Sequence, residues 1–271
     1  MLKEIPPDLL ALLRSWTARE LNMFDKGSGT PIVVIPGLQG RWEWMRPMLE
    51  ALTPYGNVVS YSLEPAKTFE ELLEQTDAVL DRKGWRAAAI CGMSFGGRIA
   101  AAYAATRPSR VTRLVIACAP GPSFVPNQRQ ASYLSKPWRS TLPFIFGSPA
   151  RMWPEIAASL PSSASRVWFC LSHGLRMAAA PIVPASMAAR MHLPVAFDVR
   201  DACTRVTAPT LVMTGGNGLD RVVPAESTRE YATLIPGAKY EMMEGTGHLG
   251  LMTQPVRFAR IVGTFVNAAS S

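Results

Sequence analysis

The chain has 271 residues, of which 48% are hydrophobic and 18% are charged, and its formal net charge is +8. A chain of this length and apolar content can bury a core, so its composition excludes a mainly disordered protein. No apolar stretch is long enough to span a bilayer, and residues 1–7 lack the basic start and apolar run of a secretory signal. We therefore expect a cytoplasmic protein without a membrane partner.

Short apolar segments along the chain are predicted strands, and amphipathic or alanine-rich segments between them are predicted helices. The predicted strands are residues 31–36, 57–63, 87–92, 111–118, 209–214 and 238–243. The clearest predicted helices are residues 69–82, 98–107 and 255–267. Because strands that alternate with helices form parallel sheets covered on both faces, we predict an α/β fold.

The strand pattern is interrupted in the middle of the chain. Residues 123–205 contain no clear strand and show helical pieces at residues 151–160 and 165–177. We predict one α/β core, made of residues 1–122 and 206–271, with a helical insertion at residues 123–205. The insertion carries nine basic and three acidic side chains but no basic run, so we expect no nucleic-acid partner.

The cysteines and histidines give little support to a metal or redox site. Cys91, Cys118, Cys170 and Cys203 form no C-x-x-C pair, and three histidines offer a zinc ion few ligands. We expect reduced structural cysteines, no metal and no cofactor.

The strongest local motif is Gly92-Met-Ser-Phe-Gly96, which directly follows a predicted strand and directly precedes a predicted helix. A serine on such a turn is held with its hydroxyl exposed, and small neighbours avoid collisions with the strand and the helix. The positive end of the helix dipole also lies beside the hydroxyl. A glycine-rich turn that only packs the helix onto the strand is the alternative. We predict Ser94 as a nucleophile.

A serine hydroxyl needs a base to take its proton, and the chain has three histidines. His173 and His192 lie in the insertion, where surface or packed histidines are the simpler interpretation. His248 follows the last predicted strand, in a loop that can approach the carboxyl edge of the sheet, where α/β sites form. We predict His248 as the base.

The base needs an acid that fixes its tautomer and stabilises the imidazolium ion. Asp220 follows the predicted strand at residues 209–214 and therefore also lies at the carboxyl edge. Asp198 and Asp201 precede that strand and lie at the opposite end. We predict Asp220 as the orienting acid.

Acyl transfer passes through a tetrahedral oxyanion, which needs hydrogen-bond donors. The segment Gly37-Leu-Gln-Gly40 follows the first strong strand, and Phe95 follows the candidate nucleophile. An ordinary strand-to-helix glycine loop is the alternative interpretation of this segment. We predict an oxyanion hole formed by the backbone N–H groups of Leu38 and Phe95.

Together these motifs resemble those of the α/β-hydrolase superfamily, whose triad has the chain order of Ser94, Asp220 and His248. Residues 36–40 are similar to the family's His-Gly-x-x-Gly segment, although Pro36 stands where the family usually has a histidine that braces the loop. The resemblance covers about residues 21–265 apart from the insertion. It implies a mostly parallel central sheet with helices on both faces, and a helical cap at residues 123–205.

The resemblance also implies a serine hydrolase that cleaves a carboxylic ester through an acyl-enzyme on Ser94. Its layout is similar to that of pimeloyl-carrier-protein methyl ester esterases. The predicted substrate pocket includes Gln39, Trp42 and Leu249, although core packing is the simpler interpretation of the aromatic residue. A basic cap would suit an acidic acyl carrier protein or an anionic acyl chain.

Other functions stay open on the sequence alone. Carbon–carbon bond hydrolysis, metal-free peroxidation and acyl transfer to an alcohol use the same triad on this fold. Haloalkane and epoxide hydrolases are disfavoured, because they resemble this fold with aspartate in place of Ser94. A ligand receptor with slow turnover is the competing class.

Overall fold

A computed structural model describes residues 22–193 and 198–269, apart from the side chains of Pro137 and residues 140–146. The prediction made for residues 1–21, that they carry no secretory signal, lies outside the described residues. The same holds for residues 194–197 of the predicted insertion and for residues 270–271.

The described strands form one seven-stranded sheet in the order β1-β3-β2-β4-β5-β6-β7. They are β1 (Met23–Lys26), β2 (Pro31–Ile35), β3 (Asn57–Tyr61), β4 (Ala88–Met93), β5 (Val111–Ala117), β6 (Thr210–Gly215) and β7 (Lys239–Met243). Strands β2 to β7 confirm the six predicted strands to within two residues at each end.

The sheet is parallel except at one edge, where β1 pairs antiparallel with β3 and Met23 lies opposite Tyr61. The sequence analysis missed β1, because this four-residue strand buries only Phe24. Since the other strands run in one direction, the loops that follow β2, β4, β6 and β7 all emerge at the same carboxyl edge.

Helices cover both faces of the sheet. In chain order they are α1 (Arg46–Leu52), α2 (Phe69–Arg82), α3 (Phe95–Thr106), α4 (Gln128–Ser135), α5 (Pro137–Ser159), α6 (Ser163–Ala179), α7 (Pro184–Met191), α8 (Val199–Thr204), α9 (Ala225–Leu234), α10 (Gly250–Thr253) and α11 (Pro255–Val266). Helix α2 has the predicted bounds. It begins directly after Thr68, whose hydroxyl caps the helix by accepting the N–H of Glu71 at 3.3 Å.

Alternate strand residues point to opposite faces and build two separate cores. In β2, Val33 and Ile35 belong to the core that α2 and α3 cover, whereas Ile32 and Val34 belong to the core that α1 and α11 cover. The predicted α/β architecture, with a mostly parallel sheet and helices on both faces, is confirmed.

The described part of the predicted insertion is helical, from α4 to α8. Helix α5 continues through Pro149 and Pro154, which explains why its sequence pattern indicated only a shorter piece. Helix α8 packs on α3 and places Cys203 in the core, so the division at residues 123 and 205 stays a prediction. Among the described helices, no span combines the length and apolarity that a bilayer crossing requires.

Candidate active site

Ser94 lies on the turn between β4 and α3 and has φ 53° and ψ −124°, a left-handed conformation that costs a non-glycine residue free energy. Its N–H donates to the carbonyl oxygen of Ala117 at 2.9 Å, which fixes the turn to β5. The residue is half-buried. The predicted nucleophile is therefore held in a strained turn at the first turn of a helix.

The glycines around Ser94 allow an unusually close approach of backbone segments. A β-carbon on Gly92 would lie 2.3 Å from the carbonyl oxygen of Gly96. A β-carbon on Gly96 would lie 2.4 Å from the carbonyl oxygen of Ile35 and 2.5 Å from that of Pro36. Helix α3 is thus pressed against the end of β2, which leads into the predicted oxyanion loop.

The predicted oxyanion loop lies against Ser94. A β-carbon on Gly37 would lie 3.3 Å from the β-carbon of Ser94, and the Gly40 N–H closes the turn by donating to the Gly37 carbonyl oxygen at 2.9 Å. Phe95 is the first residue of α3, and the first N–H groups of a helix have no partner within it. The loop that carries Leu38 therefore lies against the turn that carries Ser94 and Phe95, while the role of Leu38 and Phe95 as donors stays a prediction.

His248 and Asp220 form a hydrogen bond, with 3.0 Å between His248 Nδ1 and Asp220 Oδ2. The loop after β6 carries Asp220, and the loop after β7 carries His248. Asp220 Oδ1 accepts the N–H groups of Val222 and Val223 at 2.8 and 2.7 Å, so both carboxylate oxygens are engaged. The Asp220 side chain is only 3% exposed. Two backbone N–H groups thus hold the carboxylate in place independently of its contact with His248.

The electrostatics of this pair favour the protonated histidine. Burial alone would lower the pKa of His248, but the charge and hydrogen bond of Asp220, together with the charge of Glu155, raise it above the ordinary value of 6.5. This direction suits a base that becomes an imidazolium ion during a reaction.

The alternative histidines and acids lie elsewhere. His173 stacks on Phe169 with 5.4 Å between ring centroids, and burial lowers its pKa to about 4. His192 is exposed. Asp198 caps α8 by accepting the N–H of Arg200 at 2.8 Å, and Asp201 pairs with Arg205. Among the described residues, the hydrogen-bonded acid–histidine pair is thus His248 with Asp220.

Cys118 lies beside the acid–histidine pair, with one ligand atom each from Cys118, Asp220 and His248 within 4.8 Å of one another. Its Sγ donates to the Gly247 carbonyl oxygen at 3.9 Å, and burial raises the pKa of the thiol. A protonated thiol is a poor metal ligand, and both oxygens of Asp220 are already engaged. Asp220 and His248 are therefore better suited to form a hydrogen-bonded acid–histidine pair than to hold a metal ion together with Cys118.

All four cysteines are free, and Cys170 is exposed.

The residues predicted to line a pocket lie in different surroundings. Gln39 folds back over Gly37, and Leu249 directly follows His248. Trp42 instead packs on Phe24, with 5.7 Å between ring centroids, and its Nε1–H donates to Asn22 Oδ1 at 3.3 Å. Those contacts tie Trp42 to the edge strand, and the pocket itself stays a prediction.

Two charged side chains of the insertion contact the loops of the site, and the sequence analysis named neither of them. Arg190 of α7 is buried and donates to the carbonyl oxygens of Leu38 and Leu63, at 2.9 and 2.6 Å. Glu155 of α5 is buried against the loop of His248. One signal was available in the sequence, since Glu155 is the sole acidic residue between positions 123 and 197.

A family model described as the alpha/beta hydrolase family matches residues 32–261, which is most of the chain. The chain belongs to the alpha/beta hydrolase family. The matched residues include β2 from its second residue onward, β3 to β7, and the loops that carry Ser94, Asp220 and His248. Pro36 stands where the family usually has a histidine before the glycine of the predicted oxyanion loop, and in this hydrolase Arg190 contacts the same loop.

Three curated relatives are hydrolases named for different activities. This hydrolase is 25% identical over 262 residues to a poly(3-hydroxyalkanoate) depolymerase of Ectopseudomonas oleovorans, and the alignment covers 88% of this chain and 84% of the relative. It is 27% identical over 199 residues to a pimeloyl-[acyl-carrier protein] methyl ester esterase of Nitrosomonas europaea, covering 70% and 75%. It is 27% identical over 276 residues to a 2-hydroxymuconate semialdehyde hydrolase of Pseudomonas putida, covering 92% of each.

Solved structures support the same fold. An enol-lactonase from Burkholderia xenovorans LB400 superposes with a TM-score of 0.72 at 20% identity, covering 92% of this chain and 96% of the other. This likeness extends over the insertion as well as the core, and it concerns the fold alone.

The close contact of Gly96 with the end of β2 can be tested by adding one methyl group. Gly96→Ala should lower the free energy of unfolding by about 1–3 kcal/mol, because the new β-carbon meets backbone atoms that cannot move away independently. Gly174→Ala is the matched control, since a β-carbon there meets nothing within 4 Å and alanine favours the helix interior. Chemical denaturation measures both, and equal stabilities of the two variants would contradict the packing argument.

Proposed function

We propose that the chain is a serine hydrolase that cleaves a carboxylic ester through an acyl-enzyme on Ser94. The observation that carries this proposal is the 3.0 Å contact of His248 Nδ1 with Asp220 Oδ2, at the same sheet edge as the strained turn of Ser94. Because Asp220 engages Nδ1, the other ring nitrogen, Nε2, is the one that can accept the serine proton. Hydrolases among the relatives support the reaction class.

In the proposed reaction His248 takes the hydroxyl proton of Ser94 as the oxygen attacks the ester carbonyl. The backbone N–H groups of Leu38 and Phe95 stabilise the oxyanion of the tetrahedral intermediate. The imidazolium ion, stabilised by Asp220, then protonates the leaving alcohol, and the acyl group stays on Ser94. Water attacks the acyl-enzyme with His248 again as base, which releases the acid and restores the serine.

The substrate side of the proposal rests on charge. The insertion has an excess of basic side chains, and one relative is named a pimeloyl-[acyl-carrier protein] methyl ester esterase. We propose an anionic acyl chain, or one carried by an acidic carrier protein, as the substrate, and the cytoplasm as the location. Complementary charge would raise the rate of encounter more than the affinity.

Carbon–carbon bond hydrolysis is the second candidate. The relative named 2-hydroxymuconate semialdehyde hydrolase covers 92% of the chain, more than the relative named as a methyl ester esterase. The same triad residues and oxyanion donors would serve that reaction. Turnover of a dienoic diketone by a wild-type protein that is inactive on every ester would favour this candidate.

Ser94→Ala should abolish the hydrolysis of a p-nitrophenyl ester series from acetate to laurate, with a loss of more than about 10³-fold in kcat, because the nucleophile is removed. Its unfolding midpoint should stay close to that of the wild type. Ser109→Ala, at an exposed serine outside the site, is the control and should keep full activity. An active Ser94→Ala protein would sink the acyl-enzyme mechanism.

The pH dependence follows from His248, which must be neutral to act as a base. Since Asp220 raises the pKa of His248, kcat/KM should increase with pH through an apparent pKa above 6.5. Asp220→Asn should move this acidic limb to lower pH and reduce kcat, because the imidazolium ion loses its partner. Asp81→Asn, at an exposed ion pair with Arg110, should leave the limb in place. An unmoved limb in Asp220→Asn would contradict the assignment.

The charge of the insertion can be tested with a pair of esters of equal length, one neutral and one with a free terminal carboxylate. KM for the anionic ester should increase as ionic strength is raised from about 0.05 to 0.5 M, because salt screens the attraction. KM for the neutral ester should change little. The same salt dependence for both esters would rule out recognition of an anionic acyl chain.

A further inference from the structure

Glu155 reaches from the insertion into the loop that carries His248. It lies in α5 and is 1% exposed. Its Oε1 accepts the N–H of Gly247 at 2.9 Å and also accepts the N–H of Leu249. These two N–H groups lie immediately before and immediately after His248. One carboxylate oxygen therefore holds the backbone on both sides of the proposed base.

The loop is shaped for this carboxylate. A β-carbon on Gly247 would lie 2.8 Å from Glu155 Cδ and 2.7 Å from the Leu219 carbonyl oxygen, so no larger residue fits there. One turn further along α5, the Ser159 hydroxyl donates to the Gly245 carbonyl oxygen at 3.1 Å. The end of α5 is thus attached to the loop at two places, and the Glu155 contact lies closer to His248.

The charged groups that face Glu155 are His248 and Asp220, with the Cys118 thiol beside them. Burial raises the pKa of Glu155 to about 7, while His248 and the two N–H groups act against this rise. Its second oxygen, Oε2, is buried and has no hydrogen-bond partner among the described residues. A buried carboxylate with one free oxygen is costly, which calls for a compensating interaction.

We propose that Glu155 is a positioning residue for His248, which it holds by accepting the N–H groups on both sides of the histidine while placing negative charge near its ring. This inference rests on the proposed function, because it assigns Glu155 a role in orienting the proposed base. Asp220 contacts the imidazole ring itself, whereas Glu155 acts on the backbone that carries the ring. The insertion therefore contributes to the orientation of the base.

Two variants separate the hydrogen bonds from the charge. Glu155→Gln keeps an oxygen that can accept both N–H groups and removes the charge, whereas Glu155→Ala removes both. The first readout is the rate at which a fluorophosphonate labels Ser94, which requires an oriented His248 but no knowledge of the substrate. Further readouts are kcat, KM and the pH profile on the best p-nitrophenyl ester, and the pKa of His248 measured by NMR.

In Glu155→Ala we expect the fluorophosphonate to label Ser94 up to about 100-fold more slowly than in the wild type, because the base is misplaced. The kcat for ester hydrolysis should fall to a similar extent, and KM should change much less. Glu155→Gln should recover most of that rate, while its acidic limb and the pKa of His248 move to lower pH. Ser159→Ala is the matched control, because it removes a contact between α5 and the same loop but keeps the Glu155 oxygen that accepts both N–H groups beside His248. Its kcat and pH profile should stay close to those of the wild type.

Several results would overturn the inference while the proposed function stands. The first is a Ser94 labelling rate in Glu155→Ala equal to that of the wild type. The second is an equal loss of labelling rate and kcat in the alanine and glutamine variants, and the third is a loss in Ser159→Ala as large as that in Glu155→Ala. If Glu155→Ala does not fold, Glu155→Gln decides, because an unchanged pKa of His248 in that variant contradicts the proposed charge effect. A wild-type protein that neither hydrolyses esters nor labels at Ser94 would instead overturn the proposed function itself.

Discussion

The close packing of backbone around Ser94 is the constraint on which the rest of the site depends. A serine with φ 53° persists only where its surroundings hold it, and here Gly92 and Gly96 let α3 press against β4 and the end of β2. The same approach places Gly37 against Ser94. The close packing of α3 on these strands therefore holds both the strained serine and the loop that faces it, and a methyl group at Gly96 would disturb both.

Two buried side chains of the insertion, one basic and one acidic, contact backbone groups of the site. The guanidinium of Arg190 carries only donors, and it bonds to the carbonyl oxygens of Leu38 and Leu63. The carboxylate of Glu155 carries only acceptors, and it bonds to two N–H groups of the histidine loop. The donors of Arg190 thus pair with backbone carbonyl oxygens, and the acceptor oxygen of Glu155 pairs with backbone N–H groups. The proposed oxyanion loop and the proposed base are both held from the insertion as well as from the core.

The sequence predicted the sheet well because its parallel strands are buried on both faces and read as continuous apolar runs. It also predicted which loops meet, since the carboxyl ends of parallel strands share one edge, and Asp220 and His248 do meet there. The edge strand β1 was missed, because only Phe24 is buried in it. The bracing contact of Arg190 was also missed, because it joins positions more than 120 residues apart and no local pattern records such a contact.

The two carboxylates near His248 have different surroundings, and these suit different tasks in the proposed reaction. Asp220 has both oxygens engaged, by two N–H groups and by the ring, so it can fix the tautomer of His248. Glu155 makes no such ring contact and leaves one buried oxygen unpartnered. A glutamine there would accept the same N–H groups without the cost of a buried charge. In the proposed role, the carboxylate form of Glu155 stabilises the imidazolium ion of His248 from the side of the insertion, which a glutamine could not do.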